Sequence, residues 1–247
     1  MLNAVGREIP EEILERTGKE VFQGNNYKDG KAFQKASPKV TPVMRNDHDK
    51  MVKDIHEALV KCNAHDGMTV SFHHHFREGD LVVCMVMEEI HKMGFKNITL
   101  SASSLGKAHD ALVPMIEDGT IVNIESSGVR GKIGDAISHG KLKGLATMRS
   151  HGGRVRAIET GETHVDIAFI GANGISVRHG LSTPDSDEAA VKRAMVRCAN
   201  YVVVVADSSK IGREEFVSFA SIDSVDALVT DAEISPADKR GKFDGTV

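Results

Sequence analysis

Along this chain, short apolar runs alternate with stretches in which apolar residues recur at helical spacing, which predicts strands alternating with helices. Residues 1–46 lack that pattern. They are polar, with turn signals at Gly24-Asn25-Asn26 and Lys28-Asp29-Gly30, and read as an N-terminal arm around a short helix near 11–16. From residue 47 onward a single α/β domain is expected. Met51, Ile55, Leu59 and Val60 place a helix over 48–62, followed by a strand over 68–72. A helix over 80–93 stops at Gly94, where glycine suits the left-handed turn that ends helices. Strands over 97–102, 121–124 and 145–148 alternate with helices over 107–116 and 132–138. The run Ile167-Ala168-Phe169-Ile170 makes 164–171 a strand buried on both faces. A helix over 187–199 and strands over 201–206 and 227–230 complete the series. Such alternation favours a mainly parallel sheet flanked by helices, with right-handed crossovers.

Composition narrows the functional classes. A net charge of −4 over 247 residues offers no field that would draw nucleic acid. Cys62, Cys84 and Cys198 have neither metal-ligand nor redox spacing, and disulfides are not expected. There is no run of about 18 apolar residues to cross a membrane, and the N-terminus lacks a signal-peptide core. A cytoplasmic protein without membrane or nucleic-acid partners is therefore expected. No tryptophan and 4% aromatic residues imply a core of Val, Ile, Leu, Ala and Met.

In an open parallel sheet, ligands collect beyond the carboxyl ends of the strands. Four polar segments follow predicted strands there. They are His73-His74-His75-Phe76-Arg77, Ser101-Ala102-Ser103-Ser104, Ser126-Ser127-Gly128-Val129-Arg130-Gly131-Lys132 and Arg149-Ser150-His151-Gly152-Gly153-Arg154. Together they combine small residues, free N–H donors and a concentration of cations, the groups that bind a phosphate or polycarboxylate. Other readings stay open. A histidine triplet can hold a metal, but neighbouring residues of a strand point to opposite sides, so no metal site is expected. Gly152-Gly153 can be only a tight turn, and Gly128-x-x-Gly131 is too short a signal for a nucleotide loop. Ser, His and Asp are abundant, and their order alone defines no catalytic triad.

Several stretches carry a family resemblance. They include Ala4-Val5-Gly6-Arg7-Glu8-Ile9-Pro10, Ser71-Phe72-His73-His74-His75-Phe76-Arg77-Glu78-Gly79-Asp80, Ser127-Gly128-Val129-Arg130-Gly131 and the segment opening Met148-Arg149-Ser150-His151-Gly152-Gly153-Arg154. On these, residues 1–172 resemble the N-terminal half of the citrate lyase alpha subunit. The resemblance implies a CoA-transferase-like fold of the NagB/RpiA/CoA transferase type. It also implies a transferase that moves an acyl carrier protein from acetate to citrate, working with the beta and gamma subunits in an oligomer. No cofactor is then bound directly, because the CoA-like prosthetic group arrives on the carrier protein. On the same resemblance, His73, His74, His75, Arg77, Ser103, Ser104, Arg130, Arg149, His151, Gly152, Gly153 and Arg154 form the citrate site. Their donors would stabilise the tetrahedral oxyanion. No Asp or Glu stands out as a nucleophile, and the catalytic residues stay unassigned.

Residues 166–245 continue differently. Phe169-Ile170-Gly171-Ala172-Asn173-Gly174-Ile175, Gly180-Leu181-Ser182-Thr183-Pro184-Asp185 and Ala206-Asp207-Ser208-Ser209-Lys210 resemble the effector domain of DeoR-type transcriptional repressors. The expected junction is the strand near 166–172, since both families share the fold. Family alpha subunits are expected to be about twice as long, with a second half and glycine-rich loops after this point. The alternative function this implies is sugar-phosphate sensing by Lys192, Asp207 and Lys210, without a DNA-binding part.

Overall fold

In a computed structural model, residues 1–3, 6–18, 21, 50–73 and 81–235 are described. The chain forms two compact units, Met1–Asn46 and Asp47–Val247. In the first, Leu2 and Glu8 form an antiparallel bridge ahead of helix α1 (Glu11–Thr17). Gly18, at φ 61°, ends that helix and donates its N–H to the Leu14 carbonyl.

The second unit is built on seven parallel strands, in the order β10-β8-β5-β1-β2-β3-β4. They are β1 (Thr69–His73), β2 (Ile98–Ala102), β3 (Ile121–Ser126), β4 (Ala146–Met148), β5 (Val165–Ile170), β8 (Ala199–Val205) and β10 (Ala227–Val229). A smaller antiparallel sheet, β6 (Gly174–Ser176), β7 (Gly180–Thr183) and β9 (Val217–Ala220), was not foreseen in the sequence. Its strands run three or four residues, too short to show an alternation of their own.

One face of the large sheet is covered by α2 (Ile55–Lys61), α3 (Val82–Lys92), α4 (Val113–Glu117) and α5 (Gly131–Ser138). Val70, Phe72, Leu100, Ile124, Ile167, Phe169 and Val203 fill this side. The Phe72 and Phe169 rings stack at 5.4 Å between centroids, on the adjacent strands β1 and β5. The other face is covered by α6 (His151–Glu159) and α7 (Ser186–Cys198), and Ala168, Ile170, Val202 and Val204 pack there with Ile158, Ala189 and Met195. The strand expected at the junction of the two resemblances is thus β5, paired with β1 on one side and β8 on the other.

Several helix bounds moved for local reasons. The helix expected over 48–62 begins only at Ile55, where the Asp54 carboxylate caps it by accepting the Glu57 N–H. Met51 instead bridges Leu228 in a strand-like pairing. The helix expected over 107–116 splits into a 3₁₀ segment, Lys107–Leu112, and α4, with Pro114 in the first turn of α4 where its missing N–H costs least.

Candidate anion site at the carboxyl ends of the strands

The strands β1, β2 and β3 alternate polar and apolar residues in the same phase. Thr69-Val70-Ser71-Phe72-His73, Thr99-Leu100-Ser101-Ala102 and Asn123-Ile124-Glu125-Ser126 put their apolar members on the core described above. Pairing sets Ser71 beside Ser101, Ser101 beside Glu125, and Glu125 beside Thr147 of β4. In a sheet, laterally paired residues share a face, so a polar row runs across half of the side that faces α6.

Helix α6 supplies the cation for this row. Ser150 caps its N-terminus by accepting the Gly153 N–H at 3.0 Å. Gly152 and Gly153, read above as a possible tight turn, lie within the first helical turn. The segment 151–159 was not foreseen as helical, because two adjacent glycines are poor helix formers. At Gly153 an added Cβ would come 3.1 Å from Ser150 Oγ, so this glycine fits the cap closely.

One turn on, Arg154 is 2% exposed and points into the polar row. Its Nη2 donates to Ser101 Oγ at 2.9 Å and Ser71 Oγ at 3.3 Å, and Nη1 donates to Ser103 Oγ at 3.3 Å. Burial lowers its pKa to about 10, while Glu125 acts in the opposite sense, so it stays protonated at neutral pH. Glu125 faces Arg154 Nε at 3.8 Å and Arg149 Nε at 3.6 Å, and accepts from Thr163 Oγ1 at 2.9 Å. Arg149 reaches outward to Glu162 at 3.1 Å. The cluster therefore joins the ends of three strands to a helix through two guanidinium groups sharing one buried carboxylate.

Of the residues expected at a citrate site, Ser103, Arg149 and Arg154 meet here. The backbones of Gly152 and Gly153 form the turn that carries Arg154, and His151 opens the same helix. His73 ends β1 as a buried residue. Ser104 is exposed, and Arg130 is exposed at the N-cap of α5, with its N–H on the Leu105 carbonyl. His74, His75 and Arg77 lie outside the described residues. Glu125, Ser71, Ser101 (named above only within a polar segment, not among the expected citrate-site residues) and Thr163 were missed. The in-phase alternation of three strands was the signal that could have found the first three.

The residues of the alternative sensing site fall in two places. Lys192, 1% exposed on α7, lies 4.0 Å from Glu188 and 5.3 Å from the centre of the Phe219 ring. Burial lowers its pKa, and Glu188 opposes that shift. Thr183 Oγ1 donates to Glu188 at 3.0 Å and lies 3.2 Å from Asn173 Oδ1. Asp207 and Lys210 form a local turn after β8, 3.4 Å apart. The Ser209 hydroxyl bonds the Asp207 carboxylate and, with Lys210, holds its pKa down against burial. No group of three or more potential metal ligands occurs among the described residues, and no described helix is long and apolar enough to cross a membrane.

Comparison with known proteins adds to this geometry. The family model described as citrate lyase, alpha subunit (CitF), matches residues 48–242, running past Ala172 through the regulator-like segment. The citrate lyase alpha chain of Escherichia coli K12 is 39% identical over 225 residues, 85% of this chain and 42% of that one. A solved alpha subunit of citrate lyase from Streptococcus mutans, in complex with citrate, superposes with a TM-score of 0.68 at 36% identity, covering 96% of this chain and 46% of that one. The chain thus spans less than half the length of these relatives. An HTH-type transcriptional regulator from Haloferax volcanii is 38% identical over 136 residues, 52% of this chain and 51% of the regulator. Glutaconate coenzyme A-transferase from Acidaminococcus fermentans, at 13% identity and a TM-score of 0.51, shares the fold.

Proposed function

The chain belongs to the citrate lyase alpha-subunit family, and from that premise we propose that it takes part in transferring an acyl carrier protein from acetate to citrate. The observation that carries the reading is the pair Arg149 and Arg154, set at the carboxyl ends of β3 and β4 around a single carboxylate. Citrate offers three carboxylates, and planar guanidinium forks match that geometry. In this reading Arg149, with its side chain 29% exposed, meets the incoming citrate, and Arg154 holds the strand ends in place. Ser104, Arg130 and the segment of His73, His74, His75 and Arg77 contribute the remaining donors. The thiol that exchanges acetate for citrate comes on the carrier protein's CoA-like arm, a substrate rather than a resident cofactor. The beta and gamma subunits complete the working oligomer.

The test measures citrate-dependent acetate release from acetylated carrier protein, with the partner subunits present, alongside calorimetric titration with citrate. Arg149→Ala is expected to lower turnover by about 10²-fold, the scale for losing one charge-stabilising donor. Absence of both citrate binding and acetate release would sink the reading.

Likeness to the regulator favours a second reading, sugar-phosphate sensing through Lys192, Asp207 and Lys210. It is the weaker one. Asp207 and Lys210 are engaged with each other and with Ser209, and Lys192 is buried against Phe219. Titration with sugar phosphates, and its loss in Lys210→Ala, would separate the two.

A further inference from the structure

Glu125 is a carboxylate placed where two arginines converge, and while it accepts from Thr163 at 2.9 Å, its bonding to the arginines is loose. The Arg149 and Arg154 Nε atoms stand 3.6 and 3.8 Å from it, ion-pair rather than hydrogen-bond distances. Glu125 Oε1, Arg149 Nε and Arg154 Nε are buried, and none has a hydrogen bond from the described residues. A permanent structural pair would be expected to close these contacts, because buried polar groups left unmade are costly. Exposure grades across the cluster: the Arg154 side chain is 3% exposed, Glu125 10%, Arg149 29% and Glu162 54%. Arg149 is the bridge between the sealed pair and solvent.

We infer that Glu125 is an internal stand-in for a ligand carboxylate. A carboxylate ligand binds by exchange, taking Arg149 from Glu125 and Glu162 while Arg154 stays pinned to Ser71, Ser101 and Ser103. Glu125 thereby sets the selectivity of the site. A neutral or monovalent spherical ligand cannot replace a planar, two-oxygen anion against a guanidinium fork. The proposal rests on the transferase reading only for the identity of the natural carboxylate.

The first experiment removes the stand-in. Glu125→Ala leaves both a cavity and two buried arginine Nε groups that face no carboxylate, so formate or acetate should raise its melting temperature by about 3–5 °C at ten times their dissociation constant. Sodium chloride at equal ionic strength and acetamide should not, and the added substitution Arg149→Ala should abolish the effect. Indifference of a folded Glu125→Ala protein to formate and acetate overturns the proposal. Should that variant not fold, Glu125→Gln keeps the shape and the Thr163 contact while removing the competing charge. Citrate should then bind it about tenfold more tightly than wild type by calorimetry. Equal or weaker binding overturns the exchange. Formate rescue of Glu125→Ala without citrate binding to wild type would uphold the exchange and reject citrate as the substrate.

Discussion

The face of the sheet turned toward α6 and α7 is split into two unlike halves. Under α6 it presents Ser71, Ser101 and Glu125; under α7 it presents Ala168, Ile170, Val202 and Val204. Each half nevertheless buries one cation. Arg154 spends its guanidinium on three hydroxyls and faces a carboxylate. Lys192 has a phenyl ring at 5.3 Å and a carboxylate at 4.0 Å. The difference teaches which half is built around its charge. Three serines, Ser71 on β1, Ser101 on β2 and Ser103 just past the end of β2, are arranged to fit a planar five-donor fork, and no apolar side chain could satisfy them. Lys192 instead lies among groups that already have other partners, Glu188 with Thr183 and Phe219 with the core.

The largest expected effect breaks this comparison directly. Arg154→Met should cost about 3–5 kcal/mol in urea unfolding, because it takes one of two cations from buried Glu125 and the shared donor from three serines. A cost below about 1 kcal/mol would mean that the polar half is held by its helices alone. Phe169→Ala, on the opposite face at the stacked pair, should cost about 3–5 kcal/mol as a cavity in the central strand. A surface-like loss there would mean that β5 does not unite the two segments. Ser101→Ala removes the shortest Arg154 hydrogen bond while leaving Ser71 and Ser103, and should cost about 1–2 kcal/mol. If it proved neutral, the fork would be satisfied by the remaining hydroxyls.

The apolar half was the more legible in the sequence. Ile167-Ala168-Phe169-Ile170 reads as a strand buried on both faces and 201–206 as a strand, and they are the adjacent strands β5 and β8. The polar half showed its strands but not its chemistry. The lysines, arginines and histidines of the loops drew attention. Glu125 lay unnoticed inside a strand, where a carboxylate survives only if partners from other elements reach it. Thr163 and Arg149, separated from it by 38 and 24 positions, supply that, and no local pattern foretells such contacts. The helix after Ser150 was hidden for a different reason. Its glycine pair opposes helix by propensity, and the Ser150 cap together with burial of Arg154, Ala157 and Ile158 overrides it.

The smallest effect sharpens the comparison from the other half. Lys192→Met should leave stability at neutral pH within about 1 kcal/mol of wild type, since an apolar chain of similar length replaces a desolvated charge. The pH dependence then follows from linkage. Burial lowers the Lys192 pKa in the folded chain below its ordinary 10.5. Between that lowered value and 10.5 the unfolded chain binds more protons, so wild-type stability gains from this group as pH rises through the window. The gain is complete above 10.5, and below the folded value the full penalty of a buried charge remains. Lys50 is lowered by burial as well and contributes the same trend in both proteins, so the difference between them isolates Lys192. Paired urea titrations from neutral to alkaline pH should show the Met variant losing ground to wild type as pH climbs. A constant difference across that range would mean that Lys192 keeps its ordinary affinity for the proton, and that its surroundings accommodate the charge after all.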